Sequence, residues 1–130
     1  MADGEKFTYG GGTWGGDPAA TPSLTIEVQH GDIAVIDYLP SPTAAGRFYL
    51  GFQPRDFFDD PDESAPVDID AEAECFAAWA ELVGAEDVQP NEVRRLMAVE
   101  GGEPDDTFVE ETVVRLLRLV NLPLPNGLHA

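Results

Sequence analysis

Leu24, Ile26 and Val28 alternate with Thr25, Glu27 and Gln29, and a side-chain period of two places these sets on opposite faces of a β-strand. Gln29-His30-Gly31-Asp32 reads as a turn. Ile33 to Leu39 is then β-branched, aromatic and apolar at nearly every position, the pattern of a central strand covered on both faces, and Pro40-Ser41-Pro42 ends it. Gly46 to Phe52 gives a third strand pattern with Phe48, Leu50 and Phe52 on one face, closed by Pro54. The short connections favour an antiparallel meander.

Beyond residue 67 the period changes. Asp70 is placed to cap a helix with Glu72 and Glu74 near its positive end, and Cys75, Phe76, Trp79, Leu82 and Val83 form an expected buried stripe that Gly84 stops. Between Pro90 and Gly101-Gly102, Val93, Leu96 and Met97 allow either a short helix or a strand over Arg95 to Val99. Thr107 and Glu110 have capping-box spacing, and Val109, Val113, Leu116, Leu117 and Val120 continue one apolar stripe, with Arg115 and Arg118 near the negative end. Pro123 and Pro125 terminate this last helix. The expected fold is α+β: an antiparallel β-meander of three or more strands packed against two or three helices, one domain over residues 1–130.

Residues 1–22 are rich in glycine and proline, with Gly10-Gly11-Gly12-Thr13-Trp14-Gly15-Gly16 at the centre, and read as a loop or edge arm. Gly10, Gly12 and Gly15 match a nucleotide-binding fingerprint in spacing only. That fingerprint needs a strand before it and a helix after it, whereas prolines and a threonine follow here. Trp14 is left to pack on the core or to lie in a contact surface.

Charge changes the picture most. The chain has 25 acidic and 7 basic residues, a formal net charge of −18. A field of that sign repels nucleic acid and anionic membranes and steers basic proteins inward, so the expected partner is a basic protein, with no direct nucleic acid and no membrane. Salt adaptation or genomic base composition also produces acidic chains, and six of the seven basic residues being arginine fits such a bias. The acids are nevertheless segregated: thirteen fall from Asp56 to Glu92, and no cation stands between Arg55 and Arg94. Within that run, Asp56, Asp59, Asp60, Asp62 and Glu63 accompany Phe57 and Phe58. Charge for steering beside apolar area for anchoring makes this loop, with Trp14 as the second candidate, the expected partner-binding site.

Catalytic and metal chemistry find little support. His30 and His129 lack a neighbouring ligand at metal spacing, the acidic loop lacks the glycine and distal glutamate of a calcium loop, and Cys75 is expected to be a buried, inert thiol. No nucleophile, metal or phosphate motif emerges, so the expectation is a non-enzyme with no cofactor. The apolar runs fall short of the ~20 residues that span a bilayer, and Met1 to Lys6 lacks an export pattern; with one cysteine, the cytoplasm is expected.

The stretches Pro22 to Val28, Gly31 to Leu39 and Arg47 to Phe52 resemble the meander of Imm1-type bacterial immunity proteins, over about a third of the chain. The resemblance rests on strand patterning, and no site residues transfer with it. It implies an α+β cytoplasmic antidote that occludes the active-site cleft of a cognate toxin, often one acting on nucleic acid such as a deaminase. The alternative is a small accessory protein holding an apolar molecule between Phe48, Tyr49, Phe52, Trp79 and the C-terminal helix.

Overall fold

The computed structural model describes residues 4–10, 12–16, 20–29, 33–41, 44–51, 68–97 and 109–125. Five strands, β1 (Gly4–Gly10), β2 (Thr13–Trp14), β3 (Ser23–Gln29), β4 (Ile33–Ser41) and β5 (Ala44–Gly51), form one antiparallel sheet in the order β2-β1-β3-β4-β5. Three helices, α1 (Ile69–Leu82), α2 (Pro90–Leu96) and α3 (Val109–Leu119), complete the described residues, and the fold is a single α+β domain.

Register decides the faces. Tyr9 pairs with Leu24, Leu24 with Tyr38 and Tyr38 with Gly46; one step along, Phe7, Ile26, Ile36 and Phe48 line up across the sheet. This face carries the main core: Tyr9, Leu24, Ile26, Val28, Ala34, Ile36, Tyr38, Phe48 and Leu50 are buried, and α1 and α3 pack over β4 and β5. On the opposite face the buried apolar side chains are Ile33 and Tyr49, while Val35 beside them, Asp37 and Leu39 are part-exposed, so β4 is covered fully on one face and only at its start on the other, less than its sequence predicts.

Two sequence expectations change. The arm assigned to residues 1–22 contains a full strand: β1 lies inside the sheet, paired with β3 from Gly4 to Tyr9. Its alternation is only Lys6, Phe7, Thr8 and Tyr9, too short to stand out between glycines, and β3 supplies the pairing edge that stabilises it. Tyr49 lies on the opposite face from Phe48 and Trp79, so the apolar enclosure drawn from the sequence is not formed. Phe48, Phe76 and Trp79 instead fill the core ring on ring, with centroids 5.0 and 5.3 Å apart; Phe52 lies outside the described residues.

The expected helix over Asn91 to Glu100 is α2, buried at Val93, and Met97 then bridges to Leu50 on the edge of β5. Arg95 and Leu96 are thus helical rather than extended, Met97 makes an isolated bridge, and the rest of the alternative strand lies outside the described residues. Along α3 and the residue after it, Val109, Val113, Leu116, Leu117 and Val120 are all buried.

Candidate interaction surface

The loop from Asp56 to Glu63 lies outside the described residues, as do His30 and His129. Trp14 is engaged within the chain: its Nε1–H donates to the Pro123 carbonyl at 2.6 Å and its ring meets Tyr9 edge-on at 5.2 Å. The hydrogen bond ties the β1–β2 corner to the segment after α3, a link across 109 positions that no local pattern announces.

Helix α1 is where the sequence reading and the structure diverge most. The N-cap is Asp68, which accepts the Ala71 amide at 3.2 Å, rather than Asp70, and this adds the core-packed Ile69 to the helix. Buried positions are Ala73, Phe76, Ala77, Trp79 and Ala80. Cys75 is exposed, not buried, and Leu82 is 58% exposed. The reason is steric: small alanines let a helix approach the sheet closely, so Ala73, Ala77 and Ala80 hold the inner face. At 100° per residue Cys75 and Leu82 then fall on the outer one.

The outer face of α1 therefore reads Ala71, Glu74, Cys75, Ala78, Glu81 and Leu82, with few long polar side chains. Acids continue past it through exposed Glu86, Asp87 and Glu92. The cations nearest in sequence are Arg94 and Arg95, and Arg94 is committed to Asp70, Nε to Oδ1 at 2.5 Å. At the C-terminus of α1, Gly84 takes a left-handed φ of 98° while the Ala85 and Gly84 amides donate back to the Ala80 and Glu81 carbonyls. That is a Schellman end, as the glycine predicts. The last turn holds no basic residue, so Glu81 stands at the negative end of the helix dipole without compensation.

The N-terminal half of α1 is locked to the sheet. The Tyr38 hydroxyl donates to Glu72 Oε1 at 2.6 Å, and the same oxygen accepts the Arg47 backbone amide at 3.2 Å. Burial first, and then the Glu72 carboxylate, push the Tyr38 phenol far above its ordinary range. Tyr38 reaches Glu72 because it lies across Gly46, its β5 partner, where any Cβ would overlap the ring. On the opposite face Asp37 takes Arg47 bidentately, at 2.5 and 3.2 Å, and raises the guanidinium further. Both side chains are exposed, so this pair adds little to stability.

Among the described residues no group of three or more His, Cys, Asp or Glu side chains is arranged to hold a metal ion, and no helix is long and apolar enough to cross a membrane. Comparison with protein-family models, with curated proteins and with solved structures gives no match.

Proposed function

We propose that this chain is a stoichiometric binding protein for a basic macromolecular partner, acting in the cytoplasm as an antidote that covers the active-site cleft of a toxin. The observation that carries this reading is the surface running from α1 into α2. Asp68, Glu74, Glu81, Glu86, Asp87 and Glu92 are exposed there, Asp70 and Arg94 offset each other as an ion pair, and Arg95 is the other cation of the run. Such a surface attracts a cationic protein from a distance and holds fixed charges ready where it lands. Toxins that grip nucleic acid present a cationic cleft, which this surface complements.

The outer face of α1 adds what steering alone lacks. Ala71, Cys75, Ala78 and Leu82 give it apolar area between the acids, and interfaces draw their affinity from desolvated apolar anchors while charge sets rate and specificity. The segment with Asp56, Phe57, Phe58, Asp59, Asp60, Asp62 and Glu63, outside the described residues, belongs to the same proposal as a second acidic and aromatic stretch of sequence.

Co-expression with the toxin domain encoded beside this chain's own gene tests the reading. Survival of the cells and a one-to-one complex on gel filtration are the expected results. A gene neighbourhood without a toxin, or arrest of growth with no complex formed, would contradict the antidote role.

A further inference from the structure

The end of α1 forms one wall of a groove of about 480 Å³; the other wall is the chain leaving β1 and entering β3. Leu82, Val83 and Gly84 face Tyr9, Gly12, Thr21 and Pro22 across it. This is mostly apolar lining, and it includes the most exposed large apolar side chain of the described residues, Leu82. A volume of this size takes one or a few side chains of a partner.

The exposed acids next to the lining run along the chain select the occupant. Glu81 and Glu86 stand on either side of the lining run in sequence, followed by Asp87, all three exposed. The same helix end is the negative pole of a dipole that no basic residue of α1 offsets. By contrast, the last turn of α2 carries Arg94 and Arg95 and that of α3 carries Arg118. An uncompensated helix C-terminus, three acids and an apolar slot together ask for a cation carried next to an apolar side chain. A second copy of the chain would bring another −18 to the contact and is repelled.

We infer that the groove between Leu82–Gly84 and Tyr9/Pro22 is the anchoring pocket for a basic segment of the partner protein, taking an apolar side chain into the slot and flanking arginines or lysines onto Glu81, Glu86 and Asp87. This rests on the binding role proposed above and specifies where and by what chemistry the partner is held. The slot supplies the slow-dissociating anchor and the acids supply register.

The test is a titration of isotope-labelled full-length chain, followed by amide shifts, with a synthetic arginine–leucine peptide and two controls of equal length. One control replaces leucine by serine and the other replaces arginine by glutamate. The expected result is that the arginine–leucine peptide shifts the amides of Tyr9, Gly12 and Leu82 to Gly84, and binds about tenfold more weakly to Leu82→Gln, as loss of a buried anchor does. The serine control should bind weakly and the glutamate control not at all. Equal binding of the serine control, or shifts confined to other regions, would overturn the groove while leaving an acidic binding surface in place. Failure of every cationic peptide would overturn both. Sedimentation of the chain alone as a dimer that Leu82→Gln dissolves would assign the groove to a second copy and overturn the inference.

Discussion

Helices α1 and α3 pack on the same two strands and end in the same way, yet they treat their outer faces oppositely. In α3 the left-handed residue is Asn121, φ 59°, with the Leu122 and Asn121 amides returning to Leu117 and Arg118. Its apolar residues turn inward, its outer positions hold Arg115 and Arg118, and Arg118 sits at the negative end of the dipole. Such a helix is complete within the chain. Helix α1 buries alanines and two aromatic rings inside, then leaves Cys75, Ala78 and Leu82 outside with an acid at the wrong pole. Its outer face therefore sets apolar side chains between exposed acids, the composition of a contact surface rather than of a plain solvated face. The difference locates the unfinished surface of the molecule on α1 and gives the binding proposal its place.

The inner faces should look alike under mutation. Trp79→Ala empties a site with 0% exposure and should cost about 3–5 kcal/mol in denaturant unfolding. Leu117→Ala on α3, equally buried, should cost about 2–5 kcal/mol. A much smaller loss at Trp79 would break the comparison by showing that α1 is held loosely.

The lock between α1 and the sheet comes next. Gly46→Ala drives a methyl into the Tyr38 ring and should cost about 1–3 kcal/mol. Tyr38→Phe keeps the ring but removes the hydrogen bond to Glu72, about 1–2 kcal/mol near neutral pH. Its pH dependence has a definite sign. Because the folded-state phenol titrates above its ordinary value near 10, the contribution is full below that pH. As pH rises further the unfolded chain releases this proton while the folded chain keeps it, so stability falls. The gap between parent and Tyr38→Phe should therefore narrow in strong alkali. A constant gap up to the highest pH tolerated by the fold would show that Tyr38 is not buried against Glu72.

The smallest expected effect is the most informative about α1. Leu82→Gln should change stability by no more than about 0.5 kcal/mol, since the side chain is largely in solvent. A loss of several times that amount would return Leu82 to the core and remove the contrast with α3.

Much of this architecture is readable from the chain alone. Leu24 to Gln29 and Ile33 to Leu39 alternate or fill their strands as the register confirms, and α3 shows a single broad apolar stripe whose every named position is buried. Alanine leaves the inner face of α1 ambiguous in sequence. It is small enough to serve on either face, so the larger Cys75 and Leu82 claimed the stripe that Ala73, Ala77 and Ala80 occupy. Strand β1 was hidden because four alternating residues beside a glycine run carry less signal than the pairing edge they meet. The slot at Leu82 depends on β1 and Pro22 coming to the end of α1, a juxtaposition of distant segments that no spacing encodes. The segregated acids, in contrast, were legible at once, because charge needs no fold to be counted.

The central claim, that fixed acids beside α1 guide a basic partner, is tested most directly by stopped-flow association with the proposed toxin partner at low and high salt. Two sets of variants are compared with the parent: Glu81→Gln with Glu86→Gln and Asp87→Asn, and Asp59→Asn with Asp60→Asn and Asp62→Asn. The account predicts that the parent associates at least about tenfold faster at low salt than at high salt. It also predicts that the first set slows the low-salt rate and flattens that dependence while unfolding stays unchanged. Identical rates and identical salt slopes for parent and first set would contradict it.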